Sequence, residues 1–135
     1  MDAVVQLFAN PRSGSYSPRR IAALVQAFEA AGAEVIQSEA SADHPPAVDR
    51  RATHVCVAGG DGTVRHVARA LGASGHAAPL AQYPLGTINL VAREAAYHPD
   101  PLRFAERFLG TRKRRRHYTG ALADEMFLVC ASAPV

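Results

Sequence analysis

Apolar positions along the chain change period again and again, from runs that suit strands to three-four spacings that suit helices. Ala3 to Ala9 (AVVQLFA) is a β-rich run closed by the turn pair Asn10-Pro11. Ser17 is placed to cap a helix with Pro18 at its first position, and Ile21, Leu24, Val25 and Phe28 follow at i, i+3, i+4 and i+7. Gly32 suits the stop of that helix, and Glu34 to Ser38 makes a second strand. After a polar, proline-containing stretch, Thr53 to Ala58 (THVCVA) is apolar enough to be buried on both faces. It runs directly into Gly59-Gly60-Asp61-Gly62-Thr63, where a helical pattern begins with Val64, Val67, Ala68 and Leu71 and is stopped by Gly72. Leu80 to Tyr83 is a fourth strand, followed by Pro84-Leu85-Gly86-Thr87 and a short helix through Ala92. Asp100-Pro101 then starts a helix carrying Leu102, Ala105, Phe108 and Leu109 and ending at Gly110.

This alternation predicts an α/β fold, a three-layer Rossmann-like domain with a mainly parallel sheet and right-handed crossovers. In such sheets ligands bind at the carboxyl ends of the strands. The loops that leave at Asn10, Gly59 and Pro84 should therefore gather along one edge. The tail changes character: Tyr118 to Leu122 and Phe127 to Ala131 read as two strands around a turn at Ala123-Asp124-Glu125. A hairpin of that size is marginal alone. The expected organisation is an α/β domain over residues 1–117, with 118–135 as the first strands of an incomplete β-rich domain.

Composition adds limits. With 135 residues, 48% of them hydrophobic, the chain can build one core. No basic leader precedes the first apolar run, and no apolar stretch approaches the ~20 residues of a spanning helix. Cys56 and Cys130 sit in apolar runs without metal-ligand neighbours, which reads as reduced core thiols in a cytoplasmic protein. The histidines are too scattered for a metal-spacing motif. The net charge of +3 is concentrated in Arg112-Lys113-Arg114-Arg115-Arg116; removing those five charges leaves −2. A solvated connector and a patch drawn to anionic lipid headgroups both fit that block. Nucleic acid is not an expected partner, because no aromatic residues interleave the block to stack bases.

Candidate chemistry lies in the loops. Three glycines at a strand-to-helix junction permit positive φ and close approach of backbone N–H groups to a ligand. With the positive end of the next helix, Gly59, Gly60, Gly62 and Thr63 make a cradle for phosphate. Asp61 would repel phosphate unless a magnesium ion or a reacting hydroxyl lies between them. Thr63 is placed either to cap the helix or to donate to a phosphate oxygen. A Walker loop is excluded, since Lys113 is the only lysine; a dinucleotide fingerprint would need a small residue at Arg65. Asn10-Pro11-Arg12-Ser13-Gly14 is a second donor-rich loop, and Pro84-Leu85-Gly86-Thr87-Ile88-Asn89 a third.

N-P-x-S-G, G-G-D-G-T and P-L-G-T-x-N in this order resemble the diacylglycerol kinase catalytic family, which includes bacterial lipid kinases and sphingosine and ceramide kinases. Its glycine loop is shared with NAD kinases. The resemblance spans roughly residues 3 to 132 and implies an ATP-dependent kinase acting on a lipid hydroxyl, diacylglycerol or similar. It implies that Asn10, Pro11, Arg12, Ser13 and Gly14 line the ATP pocket and that Ser38 contacts the nucleotide. Gly60, Asp61, Gly62 and Thr63 would hold the triphosphate and its Mg2+, with Asp61 near the metal, and Thr87 would close the far side. The family's second domain supplies the acidic general base, so no catalytic base is visible in this chain and Asp61 is at most a group that poises a hydroxyl. Arg65 and His66 replace the Asn-Glu pair that often follows the glycine loop. A lipid substrate would suit the headgroup reading of Arg112 to Arg116, which would place a cytoplasmic enzyme at the inner membrane surface, beside the plainer reading of a solvated connector; a homodimer is left open. Two rivals stay beside it: an NAD-kinase-like phosphotransferase, and a truncated nucleotide-binding module without turnover.

Overall fold

A computed structural model describes residues 2–14, 16–84, 99–110, 120–122 and 125–127. The alternation emerges as β1 (Val4–Ala9), α1 (Pro18–Ala30), β2 (Glu34–Glu39), β3 (His54–Gly59), α2 (Asp61–Ser74), β4 (Leu80–Pro84) and α3 (Pro101–Gly110). β1 to β4 form one parallel sheet in the order β2-β1-β3-β4. A separate antiparallel hairpin pairs β5 (Gly120–Leu122) with β6 (Glu125–Phe127). The expected turn is thereby corrected: Glu125 pairs with Leu122 inside the hairpin. The expected short helix through Ala92, the third loop beyond Pro84 and the Arg112 to Arg116 block lie outside the described residues.

Alternate residues of the strands face opposite layers. Val5 and Leu7 of β1, Cys56 and Ala58 of β3 and Tyr83 of β4 join Ile21, Leu24 and Phe28 of α1 and Phe104, Ala105 and Phe108 of α3 in one core. Phe8, Val55 and Val57 face the other way and are covered by Val64 and Val67 of α2 and by Ala40. Burial pushes the Cys56 thiol well above its ordinary range, so it stays protonated as a packing group. Cys130 lies outside the described residues.

Both helix ends follow local chemistry. The Ser17 side chain accepts from the Arg20 N–H (3.4 Å), and Pro18 sits at the first helical position. Gly32 turns the chain out of α1 with φ of +94°. α2 starts at Asp61, three residues before its first apolar position, and runs through Gly72 to Ser74. Its left-handed cap is Gly75 (φ +70°), which corrects the expected stop at Gly72.

The chain that links β2 to β3 forms no helix on the sheet face that bears Gln6. Residues 40–53 cross that face as irregular chain, and irregular chain over a sheet carries backbone groups that need partners. Gln6, 2% exposed on β1, supplies them. Its Nε2 donates to the Ala47 carbonyl (2.9 Å) and to Ser38 Oγ (3.0 Å), and its Oε1 accepts from the Asp49 N–H (2.8 Å). The Arg51 N–H, followed by its guanidinium, holds the Asp49 carboxyl below the usual carboxylate range and fixes the turn before β3.

Candidate functional site

The chain goes from β1 through α1 to β2 on one side, then re-enters the sheet as β3 on the other side of β1. The carboxyl ends of β1 and β3 therefore flank a topological switch point, where open α/β sheets bind ligands. Ala9 and Ala58 are register partners, so the loops that follow leave the sheet about one strand spacing apart, roughly 5 Å. Two of the three expected loops meet here; Thr87 and the rest of the third lie outside the described residues.

The first loop is held by its own hydrogen bonds. Asn10 Oδ1 accepts from the Arg12 N–H (2.9 Å), and the Asn10 carbonyl accepts from the Ser13 N–H (3.0 Å). That Asx turn uses the carbonyl end of the Asn10 amide and leaves its Nδ2 as the end that serves a ligand. Ser13 is half-buried, while Pro11, Arg12 and Gly14 are exposed. The Arg12 guanidinium meets the Asp43 carboxylate at 2.6 Å, bridging this loop to the one after β2. Both side chains are mostly exposed, and such pairs contribute only about 0–1 kcal/mol, so the guanidinium is easily released to an anion.

The glycine loop departs from expectation in its backbone. Among the described glycines positive φ occurs only at Gly32 and Gly75, so Gly59, Gly60 and Gly62 are not glycines for the sake of left-handed geometry. Space is the reason at Gly59. A Cβ there would lie 3.1 Å from Thr63 Cβ and 3.3 Å from both Thr63 Cγ2 and Oγ1. Thr63 is correspondingly 8% exposed, packed in the first turn of α2 instead of capping it. The cap is Gly60, in extended conformation (φ −86°, ψ −177°) and without a side chain to satisfy the helix. The first N–H groups of a helix have no intrahelical acceptor, and together with the macrodipole they favour an anion. Above Gly62 a Cβ would meet nothing within 4 Å, so backbone there is open to close approach.

Asp61 is the first residue of α2, half-buried, with one carboxylate oxygen shielded from solvent. Among the described residues no group of three or more His, Cys, Asp or Glu side chains could hold a metal by itself. The donor set fits a phosphate chain with one carboxylate beside it, so magnesium would be held jointly by Asp61 and phosphate oxygens. Ser38 is the register partner of Phe8, one residue short of the end of β2. Its Oγ accepts from Gln6, which leaves its own O–H to donate.

Two buried carboxamides support this edge and escaped the sequence reading: Gln6 under Ser38 and Gln82 of β4, whose Nε2 donates to the Gly59 carbonyl at 2.9 Å. Each is 2% exposed. Their signal is a single amide inside an otherwise apolar strand (VVQLFA, LAQYP). Such a group must find partners within the fold.

The sequence profile of the diacylglycerol kinase catalytic domain matches residues 4–119. No curated protein matches the chain. Among solved structures, a protein of Bacillus anthracis str. Sterne provisionally described as a diacylglycerol kinase superposes with a TM-score of 0.69 at 20% identity, over 91% of this chain and 47% of its own. A second structure, of a diacylglycerol kinase from the same organism, gives 0.60 at 21% identity over 76% of this chain and 38% of its own. The chain thus spans about half the length of the solved structures it resembles. At these identities the likeness establishes the α/β fold, and the profile match over most of the sequence establishes the lineage: the chain belongs to the diacylglycerol kinase catalytic domain family.

Proposed function

We propose that this chain is the nucleotide-binding half of an ATP-dependent lipid kinase, which transfers the γ-phosphoryl group of ATP to a lipid hydroxyl such as that of diacylglycerol. The observation that carries this reading is the pairing of the Asn10 turn with the Gly60-capped start of α2 at one switch point, with Asp61 heading the helix. Asn10 Nδ2, the Ser13 hydroxyl and the N–H groups from Gly60 to Thr63 bind and orient the phosphates. Asp61 would offset its own repulsion of them by sharing a magnesium ion, which when bound neutralises phosphate charge. Thr87 would complete the far side.

The acceptor hydroxyl and its base belong, on this reading, to a β-rich domain that begins near residue 118, and the Arg112 to Arg116 block meets anionic headgroups at the inner membrane surface. Transfer needs nucleophile, phosphate and metal aligned, so residues 1–135 alone would bind nucleotide and turn over little. No helix among the described residues is long and apolar enough to cross a membrane. Phosphorylation of NAD with none of diacylglycerol would favour the NAD-kinase-like alternative.

Calorimetry of the folded chain with ATP and magnesium is expected to show saturable binding. Asp61→Ala should weaken it by about tenfold or more, because a metal-bridged carboxylate contributes more than the 1.4 kcal/mol of one decade. The loss should shrink when magnesium is replaced by EDTA. A folded wild type that gives no heat with MgATP sinks this reading.

A further inference from the structure

Gln82 has no place in the phosphate cradle itself, yet it is a buried amide that ends on it. It sits on β4 as the register partner of Val57, on the sheet face covered by α2, and is 2% exposed. A carboxamide at that depth is costly unless bonded, and a leucine would fill the place without that cost. Among the things the amide does that leucine cannot is to donate to the carbonyl of Gly59, the last residue of β3.

We infer that Gln82 is a positioning residue for the glycine loop, fixing the direction in which the Gly60 N–H is presented to a phosphate. The reason is the geometry of the peptide bond. Gly59 C=O and Gly60 N–H belong to one planar trans unit and point in opposite directions. A donor that holds the carbonyl therefore also aims the N–H, at the residue that caps α2. Elsewhere the plane could rotate: glycine on both sides of this bond removes the Cβ contacts that restrict φ and ψ in other residues. Gly59 has no Cβ to press on Thr63 and so be held by it, and the restraint comes from Gln82 through its hydrogen bond to the carbonyl. The inference rests on the nucleotide-binding reading above and adds to it a residue outside the loop motifs.

Gln82→Leu removes the donor at nearly constant volume, and Gln82→Glu keeps the shape. With leucine, MgATP affinity is expected to fall roughly tenfold, the scale of one lost hydrogen bond to a buried carbonyl, and the melting temperature to fall by several degrees while the fold is kept. The glutamate variant separates positioning from packing. Ionised, it cannot donate to Gly59; burial and the facing carbonyl raise its pKa, so acidification turns it back into an O–H donor. Its affinity relative to wild type, measured in parallel to cancel protonation of ATP, should be about tenfold low at pH 8 and recover to within about twofold near pH 5.5. Equal MgATP affinity of wild type and Gln82→Leu, or a Gln82→Glu deficit indifferent to pH, overturns the inference and leaves the nucleotide reading standing. A wild type that does not bind MgATP overturns both.

Discussion

Phe28→Ala is expected to destabilise the protein by about 3–5 kcal/mol, the range for truncating a fully buried aromatic side chain. Phe28 is 0% exposed and belongs to the larger of the two cores. Its ring lies edge-on to Phe104 at 6.3 Å and to Phe108 at 6.4 Å, so one side chain of α1 holds α3 against the sheet. Phe104 in turn stands 5.1 Å from Tyr83, whose hydroxyl donates to the Pro99 carbonyl at 2.6 Å. An alanine would leave a void that these rings cannot all collapse into, because each is fixed by a second neighbour. Against the roughly 5–15 kcal/mol that holds a domain of this size, the loss removes a large share of the margin. Urea denaturation measures it. A change below about 1 kcal/mol would mean that α3 does not dock on α1 as described. Phe28→Leu should cost markedly less, since the volume lost is smaller.

How much of this was legible in the sequence depended on whether the signal was local. Parallel strands buried on both faces announce themselves as apolar runs, which is why Val55 and Val57 were readable as core before any contact was known. The first helix was readable because Ser17, Pro18 and the spacing from Ile21 to Phe28 are all local. Helix α2 was misjudged at its C-terminal end for the same reason. Gly72 reads as a stop when no contact says otherwise, yet the helix runs on to Ser74 and is capped by Gly75. The site followed suit. Side-by-side placement of the Asn10 and Gly59 loops could be predicted, because strand-to-helix junctions of a parallel sheet share an edge. The purpose of Gly59 could not, because it is a contact with Thr63 four residues ahead and not a backbone angle. Gln6 and Gln82 were invisible as site residues because their partners, at Ala47, Asp49 and Gly59, are chosen by the crossover of the chain.

The glycine loop offers a pair of substitutions whose effects on stability have opposite signs. Gly59→Ala adds a methyl that would stand 3.1 Å from Thr63 Cβ, closer than ordinary contact. Thr63 cannot swing away freely, since it is β-branched and lies in the first turn of α2, beside Val64, which is buried on the sheet. The start of the helix must therefore shift off β3, at a cost of about 1–3 kcal/mol typical of overpacking. MgATP affinity should drop with it, by about tenfold or more, because the shift moves the N–H groups of Gly60 to Thr63 together. Gly62→Ala has no such conflict. Its Cβ meets nothing within 4 Å, and its backbone is already helical, so alanine should stabilise α2 by about 0.5–1 kcal/mol. Yet the methyl would occupy the space through which a phosphate reaches the helix start, and MgATP affinity should again fall by about tenfold. Urea denaturation and calorimetry on the same two samples read both quantities. If Gly62→Ala is stabilised and binds MgATP as the wild type does, the phosphates do not lie over the first turn of α2. If Gly59→Ala keeps wild-type stability, the β3 to α2 seam is looser than the Thr63 contact requires. A protein that gains stability while losing its ligand would locate the nucleotide at open backbone, since no packing defect can produce that combination.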